Sequence, residues 1–300
     1  VSVTTRPAAS DAGKPAGEPL LRHWAALLLG NVALALGPWA VRVADTGPVS
    51  AGFWRLALAV PFLFLFARAS GEKVFAIPRK AAILVPVAGI AFALDLASWH
   101  IGIAQTRLGN ATLFGNSGSL VLLVSGFVLA RAWPGGREWL ALVSAFLGAG
   151  ILMGRSLEIS AATLVGDVFA LVAGLFYAVY LLVLHDARKA LGSWSLLTLV
   201  CIAGAPVLLL IALVLGEPVW PRDWTPIVAL FIGSQLIGQG ALVYALRHFT
   251  PLVIGLALLT QPAIAAIYGF LQFGEVLGAM DIAGMVLVGI ALVFARVRTA

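Results

Sequence analysis

The chain has 300 residues, 61% of them hydrophobic and only 11% charged, with a mean hydropathy of +1.04. A soluble domain averages about 25% charged residues, so this chain cannot hide its apolar surface inside one water-borne globule, and lipid must solvate part of it. The net charge of +6 and pI near 10.0 do not point to nucleic acid, because Lys and Arg sit in short loops rather than on one aromatic-rich face.

Residues 1–22 are polar and rich in Ala, Pro and Gly, which predicts a disordered cytoplasmic tail. A cleaved signal peptide is not expected, since the first apolar run starts late and is long enough to span. Ten apolar segments follow: Trp24–Val43, Val49–Ala67, Ala81–Ile103, Leu108–Ala130, Trp139–Gly154, Ala161–Leu184, Trp194–Leu215, Pro226–Leu246, Leu252–Phe273 and Ile282–Ala295. Their continuous apolar runs, without period-two alternation, predict an all-α, polytopic membrane protein with ten transmembrane helices. The fifth and tenth fall short of the roughly 17–25 residues a span needs; both close their half of the chain.

With the N-terminus inside, fourteen Lys and Arg face the cytoplasm, against Arg42, Arg107, Arg155 and Arg222 outside. That bias places both termini in the cytoplasm; the expected location is a bacterial inner membrane. The last five segments echo the first five at an offset of 140–145 residues. Pro61 and Pro206 each follow a serine (Ser50, Ser195) by eleven residues, Gly30 matches Gly174, and Gly89 matches Gly233. Five spans are an odd number, so the second unit must be inverted. The expected organisation is a tail (1–22) and two inverted five-helix repeats (23–156 and 157–300), an arrangement that marks secondary transporters with a site between the halves.

Charged groups inside a bilayer are costly and face protein or a wet cavity. Arg55 and Asp95 both lie below the outer surface and are expected to pair if their helices touch. Both are expected to be structural or coupling groups, or to bind substrate, and Asp95 is a candidate for either role. Asp95 shares a helical face with Trp99, while Asp167, at the start of the sixth segment, reads as structural or capping. Asn31, Trp39, Asn116, Tyr177, Gln235, Gln239 and Gln261 complete the candidate substrate-binding set. The amide stripes in the eighth and ninth segments favour a polar central cavity, with Thr112, Ser119, Tyr180 and Gln272 nearby. Pro38, Pro61, Pro86, Pro206 and Pro262 interrupt helices and are hinge candidates. The single cysteine, Cys201, excludes an intramolecular disulfide and a cysteine zinc site. No cofactor or metal is expected, and the metalloprotease, phosphate-loop and nucleophile-elbow motifs of enzymes are missing.

Three stretches carry a family resemblance: Arg55 in "FWRLALA", the run "GDVFALVAGLFYAVYLLV" from Gly166, and the run from Tyr244 through Pro262 to Glu275, followed by Gly284 and Gly289. In that order they resemble the EamA-like branch of the drug/metabolite transporter superfamily, built from duplicated five-helix units. The resemblance spans residues 24–296 and implies a cavity walled by helices one, three, four, six, eight and nine, with five and ten peripheral. The branch includes amino-acid and metabolite exporters, among them YddG-type carriers of aromatic amino acids, and that subgroup stays open here. The expected function is secondary export of a small metabolite, an amino acid foremost, by alternating access. A multidrug or other metabolite carrier of the same fold, and a channel or receptor, are the alternatives. The expected partners are a small-molecule substrate and the lipid bilayer; the oligomeric state is open.

Overall fold

The computed structural model describes residues 20–35, 37–106, 108–130, 135–154, 162–273 and 277–296. The expected tail falls almost wholly outside these residues, as do Arg107, Arg155, Glu275 and the side chains of Asn110 and Gln272. Every regular element among the described residues is helical. They are α1 (Leu21–Ala35), α2 (Gly37–Val43), α3 (Pro48–Ala69), α4 (Arg79–Gln105), α5 (Leu108–Gly115), α6 (Ser117–Ala130), α7 (Gly136–Gly154), α8 (Leu164–Ala187) and α9 (Ser193–Val214). Then come α10 (Thr225–Ala229), a π-helical segment (Leu230–Gln239), α11 (Gly240–Ala245), α12 (Pro251–Leu258), α13 (Gln261–Phe273) and α14 (Ala279–Arg296).

Seven described stretches are long and apolar enough to cross a bilayer: Leu21–Val43, Pro48–Ala69, Arg79–Gln105, Leu164–Ala187, Ser193–Val214, Thr225–Ala245 and Pro251–Tyr268. The fourth, fifth and tenth expected segments hold shorter apolar helices, Ser117–Gly126, Trp139–Leu152 and Ala279–Ala291. The fourth is divided at Asn116, between α5 and α6, and the ninth between α12 and α13. A broken helix in lipid must satisfy its freed carbonyls internally. Asn116 does so with its side chain, donating to the Thr112 carbonyl at 2.8 Å. Thr260 does so by donating from its hydroxyl to the Ala257 carbonyl at 2.6 Å. Pro262, in the first turn of α13, has no N–H to offer the Leu258 carbonyl, so the break falls just before it. Pro38 likewise sits at the start of α2, whereas Pro61, Pro86 and Pro206 lie inside continuous helices.

Helices surrounded by lipid gain little from apolar burial, so close backbone approach and polar bonds hold them together. Gly102 lets α4 meet α8: a Cβ there would stand 3.0 Å from both the Gly166 carbonyl oxygen and the Ala170 nitrogen. Helices α7 and α14 pack on each other through Gly148 and Gly284, away from the centre.

The antiparallel pair α3 and α9 is tied at both ends by the same device. Helix α3 ends at Gly71, with φ +73°, and Glu72 then reaches the first turn of α9, where its Oε2 accepts from Ser195 N at 2.7 Å. Helix α9 ends at Gly216, with φ +67°, and Glu217 returns to α3, accepting from Ser50 N at 2.8 Å and Val49 N at 3.3 Å. A left-handed residue after a helix suits glycine, and a carboxylate beside a helix N-terminus meets unpaired N–H groups and the positive end of the dipole. Gly47 and Gly192 leave room for the two carboxylates; a Cβ at either would overlap them. The glycine and glutamate of one helix precede their counterparts in the other by 145 residues, as do Ser50 and Ser195, and Pro61 and Pro206.

The α3–α9 pair also defines two ends of the bundle. One, the basic end, carries Arg22, Arg68, Lys73, Arg79, Lys80, Arg188, Lys189 and Arg247. The opposite end carries Arg42 and Arg222 among the described residues, and an aromatic group of Trp54, Trp220 and Trp224 whose rings lie 5.0–6.4 Å apart. Tryptophan clustered at one level is typical of a bilayer interface.

Candidate functional site

A cavity lies among the helices, with about 800 Å³ of empty space, its open mouth included. Its wall draws on residues 34–119 of the first half and 173–261 of the second. Helix α4 supplies Phe92, Asp95 and Trp99, helices α5 and α6 supply Thr112, Asn116 and Ser119, and α8 supplies Gly174 and Tyr177. Gln239 comes from the π segment, Gln261 from the start of α13, Pro38 from α2 and Arg55 from α3. Among the described residues, α7 and α14 contribute nothing to the wall.

Of the expected binding residues, the structure therefore brings Asp95, Trp99, Asn116, Tyr177, Gln239 and Gln261 to one space. Asn31, Trp39 and Gln235 are placed elsewhere. Asn31 is 1% exposed, and its amide donates to the Ala257 carbonyl and the Thr260 hydroxyl, joining α1 to the break between α12 and α13. Trp39 is 48% exposed on the outside of α2. Gln235 is fully buried between α3 and α9, accepting from Arg55 Nε at 3.0 Å and donating to Cys201 Sγ at 3.3 Å. The wider π turn separates it from Gln239, which accepts from Tyr180 Oη at 3.2 Å and donates to Tyr177 Oη at 3.4 Å. Such π segments recur at functional sites.

The expected ion pair between Arg55 and Asp95 does not form, although α3 and α4 touch. Gln235 takes the Nε of Arg55, and the guanidinium carbon lies over the Phe92 ring at 5.8 Å from its centroid. Asp167 lies away from the cavity. It accepts from the Thr106 hydroxyl at 2.6 Å and so ties the start of α8 to the end of α4. Arg42 closes the same corner by donating to the carbonyls of Thr106 at 2.9 Å and Ile103 at 3.2 Å.

Helix directions place Trp99, Thr112 and Pro38 toward the opposite end of the bundle, and Tyr177 and Gln239 at the floor. Phe92 and Tyr180 stack beneath, with centroids 4.4 Å apart. Between this floor and the basic end lie Leu27, Leu184, Leu246 and Ile254, all buried. Trp24 packs edge-on to Phe249 at 4.6 Å, and His23 stacks on His248 at 3.7 Å. Arg188 adds a bond to the Leu191 carbonyl at 2.7 Å. The cavity is therefore sealed toward the basic end by several layers of packed side chains.

Two glutamates and one aromatic that matter here were not singled out from sequence. Phe92 stands one helical turn before Asp95, a spacing that could have placed it on the same wall. Glu72 and Glu217 each follow a glycine after an apolar segment, and that repeated Gly-Glu pair was the available signal.

An all-helical bundle with membrane-length apolar helices and a central mixed polar and aromatic cavity suits a membrane transporter. Residues 164–297 match the EamA-like transporter family. The second half of the chain is thus similar to a unit of that family, the EamA-like branch of the drug/metabolite transporter superfamily, and the membrane-length apolar helices make the chain a multi-pass membrane protein. Among curated relatives, it is 27% identical over 247 residues to the pseudopaline exporter CntI of Pseudomonas aeruginosa, in strains UCBPP-PA14 and PAO1; the match covers 80% of this chain and 83% of the relative. A crystal structure 18% identical in sequence superposes with a TM-score of 0.73, covering 93% of this chain and 97% of that one, which speaks for the fold.

Proposed function

We propose that the chain is a ten-span secondary transporter that exports small amino-acid-like metabolites by alternating access between two inverted five-helix halves, residues 23–156 and 157–300. The observation that carries this reading is the central cavity, lined from both halves and sealed at one end. Cavities at the interface of inverted repeats, beside broken helices, are where such carriers bind solute. The reciprocal glutamate caps support the inversion, because a single twofold axis in the membrane plane exchanges one with the other. Helix neighbours support it as well: α3 packs on α9 and α7 on α14, each first-half helix against its own counterpart. The contact of α4 with α8 is answered by that of the π segment and α11 with α1. Asn116 and Thr260, at the two helix breaks, stand 144 residues apart.

On this reading the basic end faces the cytoplasm of a bacterial inner membrane, both termini lie there, and the described state faces outward. Pro38 and Pro262, at helix breaks, are the favoured hinges. Export of a small metabolite agrees with the pseudopaline export of the Pseudomonas relative. The test is counterflow in proteoliposomes. Vesicles preloaded with one unlabelled amino acid at a time should accumulate the labelled form transiently. Passage at ion-channel rates without counterflow would overturn the carrier reading.

A further inference from the structure

Asp95 stands apart from the rest of the cavity wall. It is 7% exposed and edges the cavity, yet no hydrogen-bond donor or cation lies within bonding distance of its carboxylate among the described residues. Its neighbours on the wall, by contrast, are engaged: Tyr177 and Gln239 bond each other, and Asn116 bonds its own helix. Arg55 is half engaged. Its Nε is held by Gln235 and its face lies on Phe92, while its terminal nitrogens have no hydrogen-bond partner among the described residues and the side chain lines the cavity. The two charges feel each other's field without closing into a salt bridge.

A desolvated carboxylate without a partner is an expensive group, and so is a desolvated guanidinium. A neutral guest would leave both uncompensated, and a simple cation would leave Arg55 so. A guest that carries an ammonium and a carboxylate on one carbon compensates both. Phe92 and Trp99, one turn to either side of Asp95 on α4, then offer apolar and aromatic surface to the remainder of the guest. We propose that the cavity recognises the free amino-acid head group, with Asp95 accepting hydrogen bonds from the substrate ammonium and the Arg55 terminal nitrogens donating to its carboxylate. This rests on the carrier reading given above and names the group that reading leaves open.

The experiment uses the full chain in proteoliposomes. Each of the common amino acids is first tried as a labelled counterflow substrate. The best one then competes with its unlabelled free form, its N-acetyl form and its carboxamide. The expected result is that blocking either end weakens competition at least tenfold. Equal competition by the N-acetyl form overturns the assignment to Asp95, and equal competition by the carboxamide overturns that to Arg55. If no amino acid shows counterflow while another metabolite does, the head-group proposal fails and the carrier survives; if nothing does, both fail. Asp95→Asn provides the second measurement. A recognition role predicts that the ratio between free and N-acetyl competitors collapses toward one. An unchanged ratio with a lower melting temperature would show a purely structural group and overturn the proposal.

Discussion

Removing the glutamate caps tests the α3–α9 pairing quantitatively. Glu217→Ala deletes two bonds to the first turn of α3, one at 2.8 Å and a longer one at 3.3 Å. Glu72→Ala deletes one at 2.7 Å to the first turn of α9. A hydrogen bond to a charged group contributes about 1.5–3 kcal/mol, and the helix dipole accounts for about 0.3–1 kcal/mol of such a cap. Each carboxylate is only partly buried, so about 2 kcal/mol per variant is the expected loss. Helix α3 has 22 residues, so the two caps are separated by roughly 30 Å along the pair. Sites that far apart and without a shared partner add to within about 0.5 kcal/mol, so the double variant should lose about 4 kcal/mol. Glu→Gln at either site keeps an acceptor and removes the charge, and should lose about half as much as the alanine. The assay is equilibrium unfolding in mixed micelles of increasing SDS fraction, followed by helix content. A neutral result at one cap with a large one at the other, or a strongly non-additive double variant, would refute the symmetric account.

Asn31→Ala breaks the tie between α1 and the α12–α13 break, and should cost about 1–3 kcal/mol in the same assay, whereas Trp39→Ala should leave the cavity's ligand selectivity unchanged. Gly102→Leu forces a side chain into the α4–α8 contact and should destabilise by about 1–3 kcal/mol; wild-type melting temperature in that variant would contradict the packing. Partial burial, His23 and the nearby Arg247, Arg188 and Arg22 lower the pKa of His248 from 6.5 to about 4. The unfolded chain then takes up a proton before the folded one does. Its contribution is full above pH 6.5 and is lost progressively as pH falls to about 4. Melting temperature scanned across that window should fall less steeply for His248→Gln than for the wild type, and an unchanged slope would show that the ring does not titrate as described.

The apolar segments were legible because a bilayer demands long uninterrupted runs, and the serine and proline offsets pointed at the helices that carry the matched caps. The facing of individual side chains was less so. These helices are apolar nearly all round, so periodicity does not separate a cavity wall from a helix contact. Asn31 and Gln235 illustrate this: amides at plausible cavity positions are consumed by Thr260 and Arg55 on neighbouring helices. The separation of Gln235 from Gln239 follows from a π turn, which α-helical spacing cannot foresee. Arg55 and Asp95 were found as the buried charges of their segments, but their failure to pair depends on Gln235, a residue 180 positions away from Arg55.

The central claim is that one end of the bundle opens as the other closes. Cys201 is the single cysteine and is buried, so it can be replaced by serine before spin labels are introduced. One labelled pair, at Gln105 on α4 and Phe270 on α13, spans the cavity mouth at the opposite end; a second, at Leu21 and Arg247, spans the basic ends of α1 and the π–α11 segment. Pulsed distance measurements should show that adding a carried amino acid changes the two distances in opposite senses, the first shortening as the second lengthens. Two distances that stay fixed during active counterflow, or that move together, would contradict the account.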